Sequence, residues 1–587
     1  MKMPVKWNLS HLAESIEEIE QRKLSVLSKV SKFEEYKEKL DNLDSTELNR
    51  LLQLSDEISK ELHKIYSYAS LKFSENTSNQ ESIKLRQQLK DFLVSVSNRL
   101  LFFNIWFKNL DESKAKELID KVESIDHRFV LKQMHKYRKY MLSEDIEKVI
   151  SIKDSTGVST LESIRDIMCN DFEFKIEIDG QMQTLTQEEL TTYAKDPNPE
   201  LRRKAYDELL RVYKENSLVL NEIYKSLVSD WVKEGLELRG YESPIRIRNI
   251  SNDMEDEAVE ALLESCRKNR KVFQDYFKAK AKCLDKEQMS RYDIYAPLGE
   301  EFQDTSYDDA IQLILKVFSN FSQNFHNNAK QIIEQEHIDA EVRKNKRSGA
   351  FCSSPSPDIT PYVLLSYKNK VRDVFTLAHE LGHGVHSLLS KERPISTYDA
   401  PIPLAETASI FSEMLLAEHY LSQTENEQQK LKLLGLKIDD LYASILRQSY
   451  FVLFEKEIHN KIEEGITLDQ AKELYYKNLK EQFGEGFEIP KDFENEFLYI
   501  PHIFHTPFYC YGYAFGQLLV LSLYQMYKEQ GQQFVPKIER ILSYGGSEEP
   551  SKILAEIGID IKSTEFWDKG FEAIEDMVKQ FKELCEK

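Results

Sequence analysis

The chain is 587 residues long, 41% hydrophobic and 30% charged, with 19 Gly and 16 Pro; this ordinary globular usage excludes dominant disorder, and ~100–200 residues per domain allows two large domains or three to four smaller ones. A formal net charge of −21 works against nucleic-acid binding, which needs a basic face to neutralise phosphates. No run of ~20 apolar residues could cross a bilayer, and Met1–Trp7 passes into polar Asn8–His11 with no apolar leader, so a cytoplasmic protein without membrane, nucleic-acid or obligate protein partners is expected.

From about Leu9 to Leu142 the chain reads as successive amphipathic helices, with apolar positions at helical spacing such as Leu51, Leu52, Leu54, Ile58 and Leu62. Asp44-Ser45-Thr46-Glu47 offers N-cap chemistry, and the aromatic run Leu101–Phe107 is expected in the core. Strict alternation over Phe172–Ile178, followed by Asp179-Gly180, predicts a strand and turn. Asp196-Pro197-Asn198-Pro199 then breaks the chain before a new helical series from Glu200, which puts the expected boundary between an N-terminal helical domain, 1–195, and a second domain, 196–587.

The second helical series runs to about Glu336. The basic run Arg343–Arg347 is expected as a solvated turn, and Ser348–Ser353 and Thr360–Tyr367 read as short strands. The six cysteines, at 169, 266, 283, 352, 510 and 585, are scattered without a CxxC pair; reduced thiols are the expectation.

After those strands comes His379-Glu380-Leu381-Gly382-His383. Val371, Val374, Phe375, Ala378, Leu381, Val385, Leu388 and Leu389 follow 3-and-4 spacing, so the segment is predicted as a buried helix. On it His379 and His383 stack one turn apart and can share one tetrahedral metal, while Glu380, about 100° around, can activate a water there without ligating. Gly382 and Gly384 each cost about 1 kcal/mol in a helix relative to Ala, which suggests close approach by a ligand or another backbone. His386 lies two turns, roughly 10 Å, above His379, so it is read as supporting the site from behind. The metzincin pattern fails, because Leu389 stands where it needs a third His.

A catalytic zinc site wants a third protein ligand and an open position. Glu406, 23 residues after His383, is the better candidate, on a helix entering after Pro401 and Pro403. Glu413, seven residues on and on the same face, would accept an imidazole N–H.

With these motifs in hand, the chain resembles peptidase family M3, in its oligoendopeptidase F branch, related to thimet oligopeptidase. Phe375–Ser387 is similar to the family's HExxH helix, and Leu404–Ser409 to the segment whose Glu completes the zinc site. Lys346–Cys352 resembles the glycine-containing strand along which substrate backbone lies, implying substrate contacts at Gly349, Ala350 and Phe351. Pro501–Ala514 resembles the His-and-Tyr segment facing the zinc, implying catalytic roles for His502 and Tyr513 and substrate contacts for His505, Tyr509 and Tyr511. The likeness runs in register from about Glu200 to Phe571.

It implies a mainly α, two-lobed zincin-type (gluzincin) metallopeptidase, with a small β-sheet beside the active-site helix and a deep channel that admits short unstructured peptides. The expected activity is a zinc-dependent endopeptidase holding one zinc per chain, with Glu380 as general base. A zinc exopeptidase on the same motif, and a non-enzymatic helical scaffold, are the rival readings.

Overall fold

A computed structural model describes residues 5–586. It is mainly helical; the strands of the described residues are short and form three small sheets. The chain divides into two compact units, each built from three separated segments.

One unit comprises the described residues up to Lys139 together with Phe302–Tyr420 and Met526–Gly558. Its first helix, Ile16–Glu34, is started by Ser15, whose side chain accepts the Glu18 N–H. Helix Ser45–Glu75 begins with a capping box between Asp44 and Glu47. These helices and Gln80–Asn109 bury Val30, Phe33, Leu51, Ile58, Leu89, Phe103 and Phe107 in one core. Of the expected aromatic run, Phe103 and Phe107 are core, Phe102 and Trp106 are half-buried and Leu101 and Ile105 are exposed, and Trp106 donates its indole N–H to Asp41 at 2.8 Å.

The same core takes in Tyr362 and Leu364, so the N-terminal helices pack on a three-stranded sheet. In that sheet Ile338–Asp339 runs parallel to Tyr362–Leu364, and Phe351–Ser353 pairs antiparallel to the other side of it. Phe351–Ser353 is therefore an edge strand.

The basic run before it differs from expectation. Asp339 is fully buried, and a buried carboxylate needs cationic partners. Arg343 pairs with it, and Lys346, whose side chain is 1% exposed, donates to Asp339 Oδ1 at 2.8 Å and to the carbonyls of Asp339, Glu341 and Leu365. Two of the basic residues are thus a staple across the sheet's end, not a solvated turn.

The second unit comprises Tyr140–Glu301, Leu421–Gln525 and Ile559–Lys587. Strands Phe174–Ile178 and Gln181–Leu185 form the predicted hairpin, with Asp179 and Gly180 both at positive φ, as a two-residue hairpin turn requires. The break at 196–199 falls between the helical turn Tyr193–Lys195 and helix Pro199–Glu215, within this unit's first segment. Its interior is held by buried ion pairs: Arg291 and Arg447 share Glu496, Lys280 meets Asp439, and Arg202 meets Asp293.

Cys283 and Cys585 are joined in a disulfide, with Cα atoms 5.3 Å apart, contrary to the expectation of reduced thiols. It ties the C-terminal ends of helices Lys271–Cys283 and Thr564–Cys585, a pairing invisible to local spacing because 302 residues separate the two. Closing so long a loop restricts the unfolded chain, so Cys585→Ser should destabilise this unit by about 2–4 kcal/mol. Urea unfolding under non-reducing conditions measures it, with Cys169→Ser, at a free buried thiol, as the control.

Candidate metal centre

The motif helix, Val371–Leu389, starts where Asp373 accepts the N–H groups of Lys368 and Lys370. It buries Val374, Leu377, Ala378, Leu381, Val385 and Leu388. Gly382 faces the following helix, Thr407–Gln423, where an added Cβ would lie 2.6 Å from Ser409 Cα and 2.7 Å from the Ala408 carbonyl. Close backbone approach, expected from the glycines, is thus what Gly382 allows. Gly384 instead meets the tip of Ile332, 2.4 Å from a Cβ built there.

That approach brings three potential ligands together. His379 Nε2 and His383 Nε2 are 3.2 Å apart, and Glu406 Oε2 lies 3.4 and 3.3 Å from them. Glu406 is not inside the second helix, as the sequence suggested, but at the joint between a short helix, Ile402–Ala405, and Thr407–Gln423. With φ −87° and ψ 2° it leaves helical geometry, while its carbonyl accepts the Ile410 N–H that begins the next helix. Ser409 donates to Glu406 Oε2 at 2.7 Å and fixes its rotamer.

Behind these groups, His379 Nδ1 is 2.7 Å from Glu413 Oε1. A proton held on Nδ1 by that carboxylate leaves Nε2 as a lone pair facing the other two donors. Two imidazole nitrogens and a carboxylate oxygen converging on one point need a proton or a metal cation between them. The donor set therefore fits a divalent metal with three protein ligands; among the described residues His379, His383 and Glu406 form a group able to hold one.

His386 is 6% exposed, hydrogen-bonded to the backbone of Ala405 next to Glu406, and burial pushes its pKa down to about 4. It thus steadies the joint that carries Glu406. Glu380 is 6% exposed; burial raises its pKa, and His379 and His383 oppose that rise. Burial would also raise Glu406, but hydrogen bonding and charge from His383, then His379, bring it down to about 2. Neighbouring carboxylates thus differ in proton affinity by environment, the pattern by which acid–base and ligand roles separate.

The group opens into a cavity of about 530 Å³ that is also lined by Ala350 and Phe351 at the edge strand. Gly349 beside them has φ 82°, and an added Cβ would meet nothing within 4 Å, so backbone conformation is what the glycine supplies. Tyr398 and Asp399 line the same cavity; sequence reading missed both, since no motif or periodicity marks them.

The His-and-Tyr segment belongs to the second unit. His502 Nε2 lies 3.3 Å from Tyr513 Oη, and Tyr513 is 40% exposed. Tyr509 packs edge-on against Tyr513. His505 is engaged by Asp166, 3.0 Å away. Tyr511 corrects the expectation of a substrate contact: it is fully buried, and its hydroxyl accepts the Asn252 amide at 2.9 Å, so it anchors the start of helix Tyr511–Gln530. The segment is further held at Phe508, φ 60°, whose N–H reaches the buried Glu455 at 2.8 Å. Burial pushes the Glu455 pKa up to about 8.

Two imidazoles one turn apart, a carboxylate from the next segment and a buried glutamate between them define a metallopeptidase centre. The sequence model of peptidase family M3 matches residues 192–573, and the chain belongs to that family. An oligoendopeptidase F homolog of Borreliella burgdorferi is 32% identical over 518 residues, spanning 86% of each chain. Oligopeptidase PepF of Bacillus subtilis is 26% identical over 549 residues, 92% of this chain and 81% of that one. Among solved structures, a protein of Chlamydophila abortus superposes with TM-score 0.88 at 24% identity, over 99% of this chain and 98% of that one. Oligoendopeptidase-F from Enterococcus faecium superposes with TM-score 0.71 at 19% identity, over 97% and 99%. The protein is accordingly a metalloendopeptidase by family.

Gly382→Ala should cost about 1–3 kcal/mol by overpacking and lower metal content by displacing Glu406, read from thermal melting and metal analysis of the purified protein. Glu413→Gln should leave the melting point of the metal-free protein nearly unchanged and weaken metal affinity about 10–100-fold, measured by competition with a chelator.

Proposed function

We propose that the chain is a zinc-dependent endopeptidase that hydrolyses internal bonds of short, unstructured oligopeptides. The observation that carries this reading is the convergence of His379, His383 and Glu406 beside the buried Glu380, in a cavity bordered by an edge strand. His379, His383 and Glu406 would hold one zinc per chain. When bound, zinc supplies positive charge that acidifies water and polarises a carbonyl.

The remaining chemistry belongs to side chains of the protein. Glu380 takes a proton from the attacking water at its carboxylate and passes it to the leaving amine; its raised pKa suits a group that must hold that proton between the two steps. Glu413 fixes the His379 ring and tautomer. An extended peptide can add to the open edge of Phe351–Ser353 by backbone hydrogen bonds, with Gly349, Ala350 and Phe351 alongside. The family resemblance assigns Tyr513 and His502 to the oxyanion, and their mutual hydrogen bond supports a joint role.

Glu380→Gln should lower kcat/KM by about 10²–10⁴-fold while zinc stays near one per chain, followed with an internally quenched peptide blocked at both ends and by elemental analysis. Near-full activity in that variant would refute the mechanism. Cleavage by the wild type only of peptides with a free terminus would replace the endopeptidase reading with an exopeptidase.

A further inference from the structure

The cavity beside the metal group is lined by a carboxylate that the group does not use. Its lining includes three carboxylates, Glu380, Glu406 and Asp399, and neither lysine nor arginine. Glu406 belongs to the metal group and Glu380 is the proposed general base, so Asp399 is the lining carboxylate that neither role uses. Among the described residues the Asp399 side chain makes no hydrogen bond or ion pair; it is accessible to solvent from the cavity. Burial of the carboxyl against the cavity wall raises its pKa, and the neighbouring His63, on helix Ser45–Glu75, opposes that rise.

The backbone under Asp399 is firmly held. Ser390 Oγ donates to the Tyr398 carbonyl at 3.2 Å, the Gly546 N–H donates to the Thr397 carbonyl at 2.8 Å, and Thr397 Oγ1 donates to Asp126 at 2.7 Å. Gly545 and Gly546 let this contact close: a Cβ on Gly546 would lie 2.5 Å from the Asp399 carbonyl oxygen, and one on Gly545 2.5 Å from that of Thr397. An unpaired carboxylate on fixed backbone, exposed at an acidic cavity, is available to a cation.

On the peptidase reading above, we propose that Asp399 is a specificity-determining residue whose carboxylate receives the cationic side chain of a Lys or Arg flanking the scissile bond. Asp399 is exposed at the cavity, so the ion pair would form in contact with solvent and contribute modestly, through selectivity rather than large affinity. The acidic whole chain, with its net charge of −21, adds attraction for basic peptides at longer range.

The test uses the full chain and quenched peptides blocked at both ends, differing only by Arg, Gln or Glu at each position flanking the cut, plus matching peptides with a free amino terminus. Wild type should prefer Arg over Gln at one flanking position by about fivefold or more in kcat/KM. Asp399→Asn should bring that ratio near one, and Asp399→Lys should turn the preference toward Glu. In a Glu380→Gln background, the Kd of the blocked Arg peptide should weaken by a similar factor on adding Asp399→Asn, while the Gln peptide should not follow. Thermal melts of each variant check folding.

Equal turnover of Arg and Gln peptides by wild type, or an Arg-to-Gln ratio that both variants leave unchanged, overturns the proposal. So does an effect of Asp399 confined to peptides with a free amino terminus, which would make the bound cation the chain end. If wild type cleaves none of the blocked peptides, the endopeptidase reading fails, and the binding arm still decides the role of Asp399.

Discussion

The distance between two helix backbones governs the rest of this site. Only a hydrogen fits at residue 382, where the motif helix crosses the start of Thr407–Gln423. That crossing sets where Glu406 meets the two imidazoles and where Glu413 meets the far side of His379. A metal site tolerates little error in its donors, so the helix pair is best understood as a ruler. Its accuracy depends on Gly382, on the Ser409 bond to Glu406 and on His386 behind Ala405. The helical penalty of glycine is offset by the fixed geometry that its missing side chain permits.

A second constraint is the number of charges enclosed by protein. Buried ions destabilise unless each finds a partner, and the chain meets this with closed groups: Asp339 with Arg343 and Lys346 beneath the sheet, and Glu496 with Arg291 and Arg447 in the second unit. These groups also explain the ordering of nearby chain. Lys346 binds four acceptors around the end of the strand that leads to the edge strand at Phe351. The carboxylates at the metal group differ, because on the proposed reading their counter-charges would include a metal ion and a proton in transit, besides the His379 and His383 side chains.

Features of short sequence range were legible beforehand. His379 and His383 need only helical periodicity to meet, and the Asp179-Gly180 turn needs only its own two residues. Glu406 could be proposed from proximity to the motif, although its break from helical geometry could not, since that depends on how the next helix begins. Long-range pairings were illegible: the Cys283–Cys585 bridge spans 302 residues, and Lys346 looked like one more surface lysine. Asp399 is illegible for the same reason. What marks it is the absence of a partner, and a sequence cannot display that. Tyr511 shows the opposite error: a tyrosine among functional-looking neighbours can be wholly structural.

On the proposed reading, edge strand and cavity would divide the work of recognising a peptide. An edge strand bonds to backbone, which every peptide offers alike, so it supplies attraction without reading sequence. It would also disfavour most folded proteins, whose backbone N–H and C=O groups are already paired internally. Side-chain selection must then come from whatever lines the cavity at fixed positions, and its charge is of one sign. A site built this way would be permissive along most of a peptide and selective at few positions. That selectivity would be electrostatic, and would therefore weaken as salt screens the more exposed of its charges.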